Sequence, residues 1–326
     1  MRTAVIGAGA WGTALTRLIY MSDGEVCLWG RDRDSLVALE STGKNERYLP
    51  GIDLPVGIPT QSNLAQAVEG AECIVLAVPS NAFRDITARL KQFNGVVISV
   101  TKGIDFDTGL TMSGIVHENM PLAQVVALSG PTLAEEVCRD MPTAAVSASK
   151  SSEAAEVVQR LFHRPSFRVY TSKDPIGVEL GGALKNVIAI AAGASAGLGF
   201  GDNSKAALVT RAIAEIRRLG LACGAKPETF SGLGGLGDLT VTCFSSLSRN
   251  YQFGKRIGRG EKLKDILETS VSAIEGFPTS RSAWNLARTR NVDTPIIDEV
   301  YSMLHKDKDL RQALLDLTTR SSKAED

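Results

Sequence analysis

Over the first 172 residues, short apolar runs rich in β-branched side chains alternate with helix-like stretches; the runs fall at residues 3–6, 26–29, 73–78, 96–100, 125–128, 144–148 and 167–170. Several are continuously apolar instead of alternating, the pattern of strands covered by helices on both faces. The fold class that follows is α/β, with a doubly wound, mostly parallel sheet. Residues 44–60 interrupt the alternation, because Pro50, Pro55 and Pro59 with Gly51 and Gly57 forbid a long helix or a central strand there. They read as an excursion at the sheet's periphery. Past Pro175 the pattern changes: the stretches from residue 178, over 205–221 and beyond 279 read as helices with no strand between them. The expected division is a sheet domain over 1–175 and an all-α domain over 176–326.

A length of 326 residues agrees with two domains. A hydrophobic share of 44% with 22% charged residues leaves no compositional case for disorder. The 36 basic residues balance 36 acidic ones, which disfavours nucleic acid as the main partner while leaving a local anion pocket open. Cys27, Cys73, Cys138, Cys223 and Cys243 form no Cys-x-x-Cys pair, and His117, His163 and His305 have no ligand spacing, so neither a disulfide framework nor a metal site is expected. The start runs straight into a glycine loop without a signal core, which reads as cytoplasmic. Residues 187–201, the longest weakly polar stretch, fall short of the roughly 20 apolar residues of a membrane span. Residues 320–326, polar or charged except Ala324, read as a frayed tail.

Gly7-Ala8-Gly9-Ala10-Trp11-Gly12 fits Gly-x-Gly-x-x-Gly, follows an apolar strand and opens a helix-like stretch. In that setting free N–H groups and the helix dipole face an anion, as in the pyrophosphate loop of a Rossmann-type dinucleotide domain. Gly7 permits the tight turn, Gly9 the approach of phosphate, and Gly12 close packing of helix on strand. The second strand ends in Trp29-Gly30-Arg31-Asp32, where an NAD-specific fold usually carries an acid for the ribose 2′-hydroxyl. Arg31 suits a 2′-phosphate, so NADPH is expected ahead of NADH, with both used. Asp32 is still able to accept a hydroxyl, and a solvated surface arginine is the alternative.

Between residues 177 and 201 the charged side chains are Glu179 and Lys185 alone. On a helix, Gly181 and Gly182 lie four and three positions before Lys185, so the patch under its side chain is bare. Two glycines inside a helix cost about 1 kcal/mol each against alanine, which close packing on another backbone or a cofactor offsets. A desolvated Lys185 needs an anionic partner or a lowered pKa, and either suits proton transfer; the alternative is a lysine that snorkels to water. Lys102, in Thr101-Lys102-Gly103, follows a buried strand at the edge where open parallel sheets bind ligands. Ser129-Gly130-Pro131-Thr132 ends a later strand, and 132–135 reads as a helix start, either an anion site or an ordinary N-cap. Asp238 is the lone charge in the glycine-rich run 231–239; it either pairs with Lys185 or caps the next helix. Arg249 opens a basic run that is either a solvated face or, with Asn250, a fork onto phosphate.

Taken in order, these motifs resemble, over essentially the whole chain, the bacterial NAD(P)-dependent glycerol-3-phosphate dehydrogenases. The resemblance rests on the glycine loop with Thr13-Ala14-Leu15, Thr101-Lys102-Gly103, Ser129-Gly130-Pro131-Thr132, Gly181-Gly182-Ala183-Leu184-Lys185-Asn186-Val187, residues 234–239 and Ser248-Arg249-Asn250. It implies reversible hydride transfer between NAD(P)H and dihydroxyacetone phosphate, giving sn-glycerol 3-phosphate for phospholipid synthesis, by a homodimer. Lys185 would be the general acid and base, with Lys102 and Asp238 in its cluster and Thr242 close by. Arg249 and Asn250 would clamp the phosphate with Ser248, Gly130 and Thr132 nearby. Ala10, Trp11, Arg31, Lys102, Ala134, Arg249, Ala273 and Glu275 fall where similar enzymes contact the dinucleotide. Trp11 and Ala273 depart from residues found in some relatives, which bears on coenzyme affinity and not on the reaction. Two rivals stand beside this reading: a related hydroxyacid or keto acid dehydrogenase, which would want a carboxylate clamp, and an NADPH-binding sensor without turnover, which has no need of a proton donor.

Overall fold

The computed structural model describes residues 1–319, so the tail over 320–326 lies outside the described residues. The alternating half forms one sheet of β1 (Thr3–Ile6), β2 (Val26–Trp29), β3 (Thr60–Gln61), β4 (Cys73–Leu76), β5 (Val96–Ser99), β6 (Gln124–Ser129), β7 (Thr143–Ala148) and β8 (Phe167–Ser172). Their spatial order is 3-2-1-4-5-6-7-8, and every pairing is parallel except β6 with β7. The connecting helices are α1 (Ala10–Tyr20), α2 (Arg33–Thr42), α3 (Leu64–Val68), α4 (Ser80–Ala88), α5 (Met112–Asn119), α6 (Ala134–Cys138) and α7 (Ser152–Phe162). They cover both faces, which accounts for the continuously apolar runs: Val5, Val75 and Ile98 pack on one side, Ala4, Ile74 and Val97 on the other. The chain goes from β1 to β2 on one side and comes back to β4 on the other. The order therefore reverses between β1 and β4, and the loops after these strands open a crevice at the sheet's C-terminal edge.

The predicted runs coincide with β1, β2 and β4 to β8 to within two residues at their ends. The pattern gives no sign of β3, because a two-residue, polar edge strand has no hydrophobic face to show. The proline-rich excursion lies beside that edge, and it is more than a peripheral loop: Leu49, Ile52, Leu54 and Ile58 are buried in the core.

The second half is helical, with α8 (Pro175–Gly197), α9 (Asp202–Ala222), α10 (Asp238–Phe244), α11 (Arg249–Gly258), α12 (Leu263–Thr269), α13 (Gly276–Thr289), α14 (Pro295–His305) and α15 (Leu310–Thr318). Asp174 caps α8 by accepting the Gly177 N–H at 3.1 Å, and Pro175 occupies its first turn. The helices α9, α10, α11, α13 and α14 all pack on α8. This helix is long and apolar enough to cross a membrane, but 89% of its most apolar stretch is buried inside the protein, so its composition is that of a core helix. Its glycines mark the closest approaches. A Cβ on Gly181 would run into the Gly234 carbonyl, and one on Gly182 would lie 2.7 Å from Ser129 Oγ. The contact that offsets their helical cost is therefore with the 233–237 turn and the end of β6.

Candidate active site

Side chains from four places converge at the crevice. Lys185 lies in the middle of α8, Asp238 opens α10, Lys102 follows β5 and Ser129 ends β6. Asp238 is fully buried. Its Oδ1 accepts from Lys185 Nζ, and its Oδ2 accepts from Lys102 Nζ at 2.6 Å and Ser129 Oγ at 3.3 Å. Lys185 Nζ also donates to Thr242 Oγ1 at 2.7 Å, and that hydroxyl donates to the Asp238 carbonyl at 2.6 Å. Lys102 Nζ reaches the Gly130 carbonyl at 3.3 Å. Of the alternatives open in the sequence, Lys185 is buried and does not snorkel, and Asp238 pairs with it instead of capping α10.

Two ammonium groups thus share one carboxylate. Burial pushes the Lys185 ammonium down, to about 7, with Asp238 opposing the fall and Lys102 adding to it. An ammonium has three N–H donors, and Lys185 commits two of them, to Asp238 and Thr242. A buried amine that changes charge near neutrality, with one donor uncommitted, is equipped to give a proton to an oxygen and take it back.

Along the same edge, Gly9 precedes α1 with no side-chain cap, and the first turn holds no acid. Gly7 has φ +122°, open in practice to glycine, and lies against the Ala77 carbonyl after β4. A Cβ on Gly9 would meet nothing within 4 Å, so packing does not require this glycine. It leaves open space beside uncapped N–H groups with no acid near them, and backbone donors of that kind suit a pyrophosphate. Gly12 packs its helix turn against the Gly7 carbonyl, and Trp11, half-buried, sets its ring 6.4 Å from that of Phe167. Arg31 is exposed just past β2. Asp32 beside it caps α2, accepting from the Ser35 N–H at 3.3 Å and hydroxyl at 2.7 Å, so the acid is already engaged.

Ser248 caps α11 through the Tyr251 N–H at 3.3 Å, again with no acid in the first turn. Arg249 makes no hydrogen bond or ion pair among the described residues. It is exposed, yet crowded enough that burial lowers its guanidinium from the ordinary arginine range against the pull of nearby Glu275; since water reaches it, the charge is kept. The Asn250 side chain turns inward. Its Nδ2 donates to Asn186 Oδ1 and its Oδ1 accepts from the Gly276 N–H, both at 2.9 Å. That leaves the backbone N–H of Asn250 as its group for an anion.

Glu275 accepts from the Ser80 N–H at 3.2 Å and hydroxyl at 2.6 Å, tying the helical half to the head of α4; burial raises its carboxyl from the usual range and these bonds oppose the shift. Ala273 and Glu275 line a cavity of about 410 Å³ with Ser80 and Phe277. Thr132 is not an N-cap: Leu133 precedes Ala134 at the start of α6, and Thr132 Oγ1 donates to the Gly130 carbonyl at 3.1 Å. Gly130, at the strand end, has φ +145°.

Residues 2–155 match the family model for the N-terminus of NAD-dependent glycerol-3-phosphate dehydrogenase, and residues 174–315 match that for its C-terminus. The chain belongs to this family. A glycerol-3-phosphate dehydrogenase (NAD(P)+) from Geobacter sulfurreducens is 46% identical, covering 99% of this chain and 98% of its own. One from Chlorobium phaeobacteroides is 44% identical over 100% and 99%. Among solved structures, the glycerol-3-phosphate dehydrogenase of Coxiella burnetii superposes with TM-score 0.94 at 36% identity, covering 98% of this chain and 99% of that one. A ketopantoate reductase from Ralstonia eutropha, 18% identical with TM-score 0.60 over 98% and 100%, shares the fold alone.

For a glycerol-3-phosphate dehydrogenase family member, most of the sequence-predicted residues gather into three groups. Lys102, Gly130, Lys185, Asp238 and Thr242 form one hydrogen-bonded cluster, with Thr132 bonded to the Gly130 carbonyl; Gly7, Gly9, Ala10, Trp11 and Gly12 form the loop; Ser248, Arg249 and Asn250 begin α11. Outside these groups stand Arg31 and Ala273, both exposed, Ala134 at the start of α6, and Glu275, which bonds Ser80. Sequence reasoning assigned no role to Ser80, Ser129 and Asn186. Ser129 and Ser80 sit at or just past strand ends on the crevice edge, as Lys102 does, and that position was the available signal.

Proposed function

We infer that this chain catalyses the reversible reduction of dihydroxyacetone phosphate by NAD(P)H, giving sn-glycerol 3-phosphate. The observation that carries the reading is Lys185: a buried ammonium with a lowered pKa and one uncommitted donor, on the same sheet edge as an uncapped glycine loop. The dinucleotide, when bound, supplies the hydride. Lys185 gives its third proton to the ketone oxygen and recovers it in the oxidative direction. Lys102 adds positive charge beside the developing alkoxide, while Asp238 holds both lysines and Thr242 orients Lys185. Arg249 and the free N–H groups of the α11 first turn hold the phosphate, with Ser248, Gly130 and Thr132 around it, which fixes the ketone in place without altering the chemistry.

The loop from Gly7 to Gly12 holds the pyrophosphate, and Lys102, Ala134, Arg249, Ala273 and Glu275 complete the dinucleotide contacts. Arg31, exposed at the tip of β2 while Asp32 is engaged, favours NADPH over NADH, with both used. A cytoplasmic homodimer, and a division into a dinucleotide domain over 1–175 and a catalytic domain over 176–326, complete the reading on the strength of the family likeness. The test is NADPH oxidation with dihydroxyacetone phosphate, beside free dihydroxyacetone and a keto acid. Turnover confined to the phosphorylated ketone supports reaction and clamp together; NADPH binding without turnover of any of them sinks the reading in favour of a sensor.

A further inference from the structure

The hydrogen bonds around Asn250 join the elements that carry both ligand subsites. Their directions are forced. The Gly276 N–H can act only as a donor, so the amide oxygen of Asn250 faces it at 2.9 Å, and Nδ2 is left to donate to Asn186 Oδ1 at 2.9 Å. Asn186 follows Lys185 on α8, Asn250 follows Arg249 on α11, and Gly276 follows Glu275 at the head of α13. Glu275 in turn accepts both donors of Ser80 from the sheet half. The junction has no slack, since a Cβ on Gly276 would lie 2.6 Å from the Asn186 carbonyl oxygen and 2.8 Å from Asn250 Oδ1. Residue 275, the N-cap of α13, makes no side-chain capping bond to that helix, so the acceptor for its first turn comes from Asn250 on another helix.

We propose that Asn250 is a positioning residue whose amide fixes the head of α13 and so places Glu275 for the dinucleotide, with Asn186 locking that amide against the helix of Lys185. The proposal rests on the reading of Glu275 as a dinucleotide contact. Without the Asn250 oxygen, the buried Gly276 N–H loses its acceptor, the head of α13 shifts to regain one, and Glu275 leaves its place opposite Ser80. A side chain that served the substrate phosphate alone would leave the dinucleotide untouched.

The experiment is NADPH binding in the absence of substrate, by tryptophan fluorescence or calorimetry, on the wild-type chain, Asn250→Ala and Asn250→Asp, each in the native and the Glu275→Ala backgrounds. Asn250→Ala is expected to weaken NADPH about tenfold. The isosteric Asn250→Asp keeps an acceptor for Gly276, and Asn186 can turn its amide to suit, so it is expected to restore binding to within about threefold. In the Glu275→Ala background the Asn250→Ala effect should shrink to about twofold or less. If Asn250→Ala does not fold, the Asn186→Ala variant, which unlocks the same amide, is expected to weaken NADPH in the same direction. Unchanged NADPH binding with a raised KM for dihydroxyacetone phosphate would overturn the proposal, as would an equal loss in both backgrounds. A wild-type chain that binds no NADPH would overturn the functional reading itself, and the proposal with it.

Discussion

Replacing Asp238 by asparagine keeps the shape of a buried side chain and removes its charge. The native carboxylate is fully buried and faces two ammonium groups, Lys185 on one oxygen and Lys102 on the other at 2.6 Å. Two unit charges about 4 Å apart interact by about 4 kcal/mol at an effective dielectric of about 20. At about 1.4 kcal/mol per pKa unit, that is about three units. Lys185 already stands low, at about 7, with Asp238 opposing the fall. Asp238→Asn therefore leaves about one Lys185 in a thousand protonated near pH 7, and kcat for reduction is expected to fall by about that factor.

Because the missing species is the protonated amine, the rate should recover by about tenfold for each unit the pH is lowered. Stability moves the opposite way: a lysine whose folded pKa lies below its unfolded value makes the unfolded chain bind more protons, so the variant loses stability as the pH falls from the ordinary lysine value of 10.5 toward the lowered folded one. The assay is NADPH oxidation at saturating dihydroxyacetone phosphate over a pH series, with melting followed in the same buffers. A variant with wild-type kcat at pH 7, or a deficit that stays constant as the pH falls while the protein remains folded, refutes the idea that Asp238 keeps Lys185 charged.

Arg249→Ala should raise KM for dihydroxyacetone phosphate by about 10- to 100-fold, the range expected for losing charge-assisted hydrogen bonds, while kcat changes less; steady-state kinetics at saturating NADPH separates the two. Arg31→Ala should raise the KM for NADPH more than that for NADH, and equal effects on the two coenzymes would remove Arg31 from the 2′-phosphate.

What the sequence made legible was whatever is encoded locally. Continuous apolar runs announced strands covered on both faces, and Gly7 to Gly12 announced its loop because strand, glycines and helix are consecutive. Lys185 stood out for its isolation among small residues. Its pairing with Asp238 remained one of two alternatives, since the two are separated by 53 residues and meet only in the folded chain, where Gly181 and Gly182 let the 233–237 turn leading into α10 and the end of β6 approach α8 closely. The Ser80–Glu275 link spans 195 residues and leaves no local trace at all. Asn250 carries a second demand. Its position beside Arg249 suggested a phosphate ligand, and its side-chain amide at the junction of α8, α11 and α13 also takes up the Gly276 N–H, a need visible only once the helices are packed. The reading of Thr132 as an N-cap gave way to its bond with the Gly130 carbonyl, at a glycine of positive φ where a Cβ would meet the backbone of Ala144 and Ala145.

If Lys185 moves the proton while other residues hold the ligands, Lys185→Ala separates the two roles when kcat and substrate-free NADPH binding are measured on the same preparation. The expected result is a loss of about 10²- to 10⁴-fold or more in kcat, with NADPH affinity within about twofold of wild type, because the glycine loop and Glu275 lie outside the Lys185 hydrogen bonds. Near-normal turnover in a folded Lys185→Ala protein would contradict the proton-transfer role of Lys185.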